Sequence, residues 1–125
     1  MILEKIKELE ELIIYLNTSD KSVVSKAINF SNKAHKHQIR QSGDPFVTHP
    51  IEVAKILTSI KLDASSIAAG LLHDTVEDTA ITSESIKNVF GDQISQLVQG
   101  LTKINKISLK ANKLKLGENY RKLLL

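Results

Sequence analysis

A chain of 125 residues with 42% hydrophobic side chains is long enough to bury one compact core and too short for two domains of ordinary size. With no cysteine, a disulfide framework, a thiolate metal site and a thiol nucleophile are all excluded, so any metal must be held by nitrogen and oxygen. The net charge of +3 permits a polyanionic partner, but its excess lies in lysines of the last quarter that a solvated helix face explains, and 4% aromatic residues leave little for base stacking, so nucleic acid is not the expected partner.

The chain opens Met1-Ile2-Leu3-Glu4-Lys5, with acidic charge where a signal peptide would be basic, and no stretch approaches 18 apolar residues. A soluble, cytoplasmic protein without a membrane segment is expected. Ile2, Ile6, Leu9, Ile13 and Leu16 recur at alternating steps of four and three, which predicts an amphipathic helix of about four turns over residues 1–18. Asn17-Thr18-Ser19-Asp20 breaks it and offers caps for a second helix, from about Lys21 to Lys36, burying Val24, Ala27 and Ile28 with Ser31, Ala34 and His35 on the same side. His35 and His37 flank its end, where positive charge is favourable, which gives them a structural reading. Arg40-Gln41-Ser42-Gly43-Asp44-Pro45 is a turn-rich loop; Gly43 can take a positive φ and Pro45 stops any helix.

Pro50 suits a first helical turn, so His49 lies at a helix start, followed by Ile51, Ala54, Leu57 and Ile60 at helical spacing. Asp63 is an N-cap for the next helix, which carries Ile67, Ala68, Leu71 and Leu72; Thr82 caps a short helix ending before Gly91. Asp92 is expected to cap a last helix with Ile94, Leu97, Val98, Leu101 and Ile104 in register, and the tail from Ser108 is helical in character. No strand pattern emerges. The expected fold is all-α, a single helical bundle.

The sharpest chemical feature is Leu71-Leu72-His73-Asp74-Thr75-Val76-Glu77-Asp78-Thr79, where an apolar helical run passes abruptly into four ionisable residues. Helical spacing puts His73 in line with Glu77 and Asp74 in line with Asp78. A neutral imidazole beside a carboxylate suits a divalent transition metal, and further carboxylates can orient and deprotonate a water. On spacing alone a buried His–Asp pair serving only as a structural hydrogen bond satisfies the pattern as well. His49 can reach the same cavity or stay an exposed capping residue. Arg40 and Ser42 can present a guanidinium and a hydroxyl to a phosphate or a base, or form an ordinary surface turn.

Taken in order, Ala34-His35, Gln38, Arg40, Ser42-Gly43-Asp44-Pro45-Phe46, His49-Pro50, Val53-Ala54, Ile56-Leu57, Leu62-Asp63, Leu71-Leu72-His73-Asp74, Val76-Glu77-Asp78-Thr79, Phe90-Gly91 and Leu101-Thr102-Lys103 resemble the HD domain of RelA/SpoT homologues, from about residue 23 to residue 125. The resemblance implies an all-helical HD-superfamily fold holding one manganese ion, and hydrolysis of the 3′-pyrophosphate of the alarmones ppGpp and pppGpp to give pyrophosphate and GDP or GTP. Carried over by position, it makes His49, His73 and Asp74 metal ligands and gives Glu77 and Asp78 the task of positioning and activating the attacking water. Arg40 is then the residue packing on the guanine, Ser42 part of the nucleotide-binding loop, and Lys103 a phosphate contact. Two departures stand out: Gln41 and Asp44 replace the family's usual Lys and Glu, removing one positive charge near the nucleotide. In the family a further aspartate, beyond the segment matching Glu118-Asn119-Tyr120-Arg121-Lys122, completes the metal site. The 125 residues stop before it, so the resemblance implies a domain incomplete at its C-terminus. The competing expectation is a catalytically silent, truncated or split module that binds nucleotide, with self-association or a partner chain covering the apolar end Leu123-Leu124-Leu125.

Overall fold

The computed structural model describes residues 2–39 and 43–113, without the side chains of 105–113. Among them are six helices and no strand: α1 (Ile2–Leu12), α2 (Thr18–Ala34), α3 (Thr48–Ser59), α4 (Ala64–Asp78), α5 (Ser83–Phe90) and α6 (Asp92–Lys113). Three of the starts are set by the predicted caps. Asn17 accepts from the Asp20 amide at 2.8 Å, Asp63 from that of Ser66 at 2.9 Å and Thr82 from that of Ser85 at 3.1 Å, each meeting a donor that the first turn leaves unpaired.

α4 is the centre of the bundle, packing against α2, α3 and α6, while α1 lies on α3 and α5 on α6. Its composition permits this. Ala64, Ala68, Ala69 and Gly70 are small enough for neighbours to approach on several sides, and Ile67, Leu71 and Leu72 fill the core between them. At Gly70 the approach leaves no room for a side chain: a Cβ there would lie 2.7 Å from Leu57 Cδ1 on α3. α2 contributes Val24, Ala27 and Ile28 to the core, α3 contributes Ile51 and Ala54, and α6 contributes Ile94 and Val98.

The expected first helix is shorter than its apolar period. α1 ends at Leu12, and Ile13 and Leu16 continue inward through a turn closed by Leu16 N–H donating to the Ile13 carbonyl at 2.9 Å. The Asn17 cap needs extended backbone (ψ 171°), so the chain must leave the helix before it. The Tyr15 hydroxyl then donates to the Leu62 carbonyl at 2.7 Å, tying this turn to the α3–α4 connection. α2 starts three residues earlier than predicted and ends two residues earlier. Asp92 is the first residue of α6 rather than its cap: the Ser95 amide donates to the Gly91 carbonyl at 3.2 Å, and Gly91 holds φ +93°. There Asp92 favours the positive end of the helix dipole and pairs with Lys87 at 3.3 Å. Ile60, Leu97 and Ile104, counted into helical registers by their spacing, are exposed. The tail beyond Lys113 lies outside the described residues.

Candidate metal centre

His49 is the second residue of α3, and a tight turn sets its position. The Thr48 hydroxyl donates to the Pro45 carbonyl at 2.8 Å, and the His49 amide to the Phe46 carbonyl at 3.0 Å. His73 and Asp74 sit one turn before the end of α4, where the helix emerges from the core. The structure brings these three together: one ligand atom from each of His49, His73 and Asp74 lies within 4.8 Å of the others. His49 Nε2 is 3.6 Å from one Asp74 oxygen and His73 Nε2 is 3.2 Å from the other. Asp74 is buried, its side chain only 10% exposed, between two imidazoles.

Protonation of these rings decides what the cluster can do. His73 Nδ1 lies 2.6 Å from the Gly70 carbonyl, an acceptor only, so Nδ1 carries the hydrogen and Nε2 faces Asp74. In a neutral ring that nitrogen and the carboxylate oxygen turn lone pairs on each other. The arrangement therefore calls for something positive between them, either a proton shared by the pair or a metal ion. The backbone carbonyl behind the ring is the usual support that fixes the tautomer and orientation of a ligating histidine.

The continuation of α4 adds acid. Carboxylate oxygens of Asp74, Glu77 and Asp78 also lie within 4.8 Å of one another, with Glu77 and Asp78 exposed. The helix thus runs through Asp78 as the spacing required, and buried Asp74 belongs to both groups. Of the remaining site residues read from the sequence, Lys103 is exposed on α6, and Arg40 and Ser42 lie outside the described residues. Among the described residues, the groove of about 560 Å³ lined by Glu11, Leu12, Ile14, Tyr15, Thr58 and Lys61 offers one carboxylate and no histidine.

The sequence did not reveal what holds the surroundings of this centre. Gln38 reaches from the end of α2 to donate its side-chain amide to the Asp78 carbonyl at 2.6 Å, beside a His35 that is buried as its place on the helix predicts. The spacing of His35 and Gln38 shows that they share a helix end. It carries no sign of a contact with a residue forty positions away.

Residues 27–125 match the model of the HD domain family. The chain is 45% identical over 109 residues to a GTP pyrophosphokinase of Myxococcus xanthus, covering 85% of this chain and 14% of that protein. It is 44% identical over 117 residues to the GTP pyrophosphokinase rsh of Brucella melitensis, covering 94% of this chain and 16% of the relative. A putative chloroplastic GTP diphosphokinase RSH1 of Oryza sativa is 47% identical over 102 residues, which are 81% of this chain and 11% of the plant protein. The chain thus spans well under a fifth of the length of each of these relatives. An all-helical bundle, a His/Asp cluster of metal-binding kind, the family match and these identities agree: the chain belongs to the HD domain family, as an HD domain of the RelA/SpoT type.

Proposed function

We propose that this domain is a metal-dependent pyrophosphohydrolase that removes the 3′-pyrophosphate of ppGpp or pppGpp. The observation that carries the reading is the convergence of His49, His73 and Asp74 from two helices onto one point, beside an exposed carboxylate pair on the same helix. The donor set suits manganese, since two imidazoles and a carboxylate are borderline and hard ligands without thiolate. When bound, a divalent ion there supplies Lewis acidity that neutralises charge on the phosphoryl oxygens and acidifies a water.

The remaining work falls to side chains. Glu77 and Asp78 hold the attacking water and accept its proton, a role open to exposed carboxylates beside a buried one. Arg40 packs on the guanine, Ser42 lies beside the nucleotide, and Lys103 compensates phosphate charge. The relatives' names speak of GTP and a pyrophosphoryl group, so a guanine nucleotide carrying pyrophosphate is the substrate class that their likeness supports. A cytoplasmic site of action is part of this reading, and none of the described helices is long and apolar enough to cross a membrane.

The test is release of pyrophosphate from ppGpp by the purified chain with manganese. Wild type should release it, chelation should stop it, and His73→Ala or Asp74→Ala should abolish it. No release at high protein concentration overturns the reading, and calorimetric binding of ppGpp without release would identify a nucleotide-holding module instead.

A further inference from the structure

His35 is 2% exposed at the C-cap of α2, and two contacts fix its ring. It stacks on Phe46 with ring centres 4.5 Å apart, and its Nδ1 donates to Gln38 Oε1 at 2.8 Å. That bond is the one hydrogen bond of the ring among the described residues, Nε2 having none. It also decides which way the Gln38 amide faces. With Oε1 engaged by His35, the amide nitrogen is presented to α4 and donates to the Asp78 carbonyl at 2.6 Å. This carbonyl is one of the last four of α4, which have no partner within the helix. The Gln38 backbone is pinned as well, its carbonyl accepting from the Phe46 amide at 2.9 Å.

Phe46 carries the second path. It stands edge-on to His49, ring centres 6.3 Å apart at 68°, so one imidazole is linked to a candidate metal ligand on one side and to the backbone of the acidic pair on the other. Glu77 and Asp78 are exposed, so the backbone of the last turn of α4 does most to aim them.

We propose that His35 is a positioning residue: through Gln38 it holds the last turn of α4, and through Phe46 the ring of His49, so that the acidic pair and the metal ligands face one opening. The proposal rests on the pyrophosphohydrolase reading for its effect on turnover, but its structural half stands without it. A histidine that merely fills the core would affect melting alone.

Three variants of the 125-residue chain separate these roles. Gln38→Met cuts the bond to α4 while keeping side-chain length, His35→Phe keeps the stack and loses the donor, and His35→Asn keeps a donor near the place of Nδ1. The measurements are kcat and KM for pyrophosphate release, manganese affinity by electron paramagnetic resonance, and amide hydrogen exchange at Thr79, whose N–H donates to the Thr75 carbonyl at 3.1 Å. Gln38→Met and His35→Phe should lower kcat about tenfold or more, because small misplacements of reacting groups are costly, with KM within about threefold. Exchange at Thr79 should quicken about tenfold, and His35→Asn should restore kcat to within about threefold of wild type. Unchanged kcat and exchange in Gln38→Met overturn the proposal, as does an equal kcat loss in both His35 variants that follows melting temperature. If the wild-type chain releases no pyrophosphate, the exchange arm decides alone: faster exchange confined to the last turn of α4 supports the proposal, and unchanged exchange overturns it.

Discussion

Asp74 is the residue on which both groups of ligand atoms converge, and its neighbours divide by what they can contribute. His49 and His73 turn a ring nitrogen each toward the oxygens of Asp74, whereas Glu77 and Asp78 offer carboxylates to solvent. If the proposed roles hold, Glu77→Gln and Asp78→Asn should lower turnover by about 10²- to 10⁴-fold, the range of a lost general base, and leave manganese affinity within about threefold. His73→Ala should instead lose the manganese signal itself. Paramagnetic titration beside the pyrophosphate assay checks both, and a Glu77→Gln chain that no longer binds manganese would move Glu77 into the ligand set. The His73-Asp74 step was legible in the sequence because an apolar helical run ends there in ionisable residues. That His49 meets them was legible only through the family resemblance; spacing alone left it able to stay an exposed cap, since its reach depends on the turn from Pro45 to Thr48 and on α3 lying against α4. The link from Gln38 to Asp78 was hidden because it too depends on how the helices pack.

Between helices, Gly70 sets how near α3 can lie to α4. Glycine inside a helix costs about 1 kcal/mol relative to alanine, and the 2.7 Å from a built Cβ to Leu57 Cδ1 is a packing reason to keep it. Gly70→Val adds branches that must displace Leu57 and Val53, so the variant should lose about 1–3 kcal/mol in urea unfolding and bind manganese more weakly as His49 is pushed from Asp74. Wild-type stability in that variant would show that the two helices can part at little cost. The Asp63 cap is expected to show in the pH dependence of stability. Its hydrogen bonds to Ser66 hold the carboxyl below its usual 3.8, so its contribution is complete above that value and lost as pH falls through the lower folded one. Asp63→Ala should therefore cost about 1 kcal/mol at pH 7, with the difference from wild type closing under strong acid. This cap, with those at Asn17 and Thr82, made three helix starts legible in the sequence. The end of α1 was not legible, because Ile13 and Leu16 keep the apolar period through a turn in which the backbone is no longer helical.

At the scale of the molecule, the periodicity that identified the helices was silent on their neighbours, and the central place of α4 follows from its small residues only once the other helices are laid around it. That arrangement gives the proposed metal a mechanical role. The residues that would hold it come from the start of α3 and the end of α4, so an ion held by His49, His73 and Asp74 would tie together two helices that are adjacent only in the folded state. Binding to the folded chain alone stabilises it by mass action, about 2.7 kcal/mol at a free concentration one hundred times the dissociation constant. For a domain of this size that corresponds to a rise in Tm on the order of 10 °C, growing with the logarithm of manganese concentration and reversed by chelation. His49→Ala should remove most of the rise while barely changing Tm without metal, since its side chain is 40% exposed and little core is lost. Scanning calorimetry across a manganese series reads both effects. A Tm indifferent to millimolar manganese would mean that the three side chains meet without holding an ion, and the His73–Asp74 pair would then be the protonated structural contact that its spacing also allows.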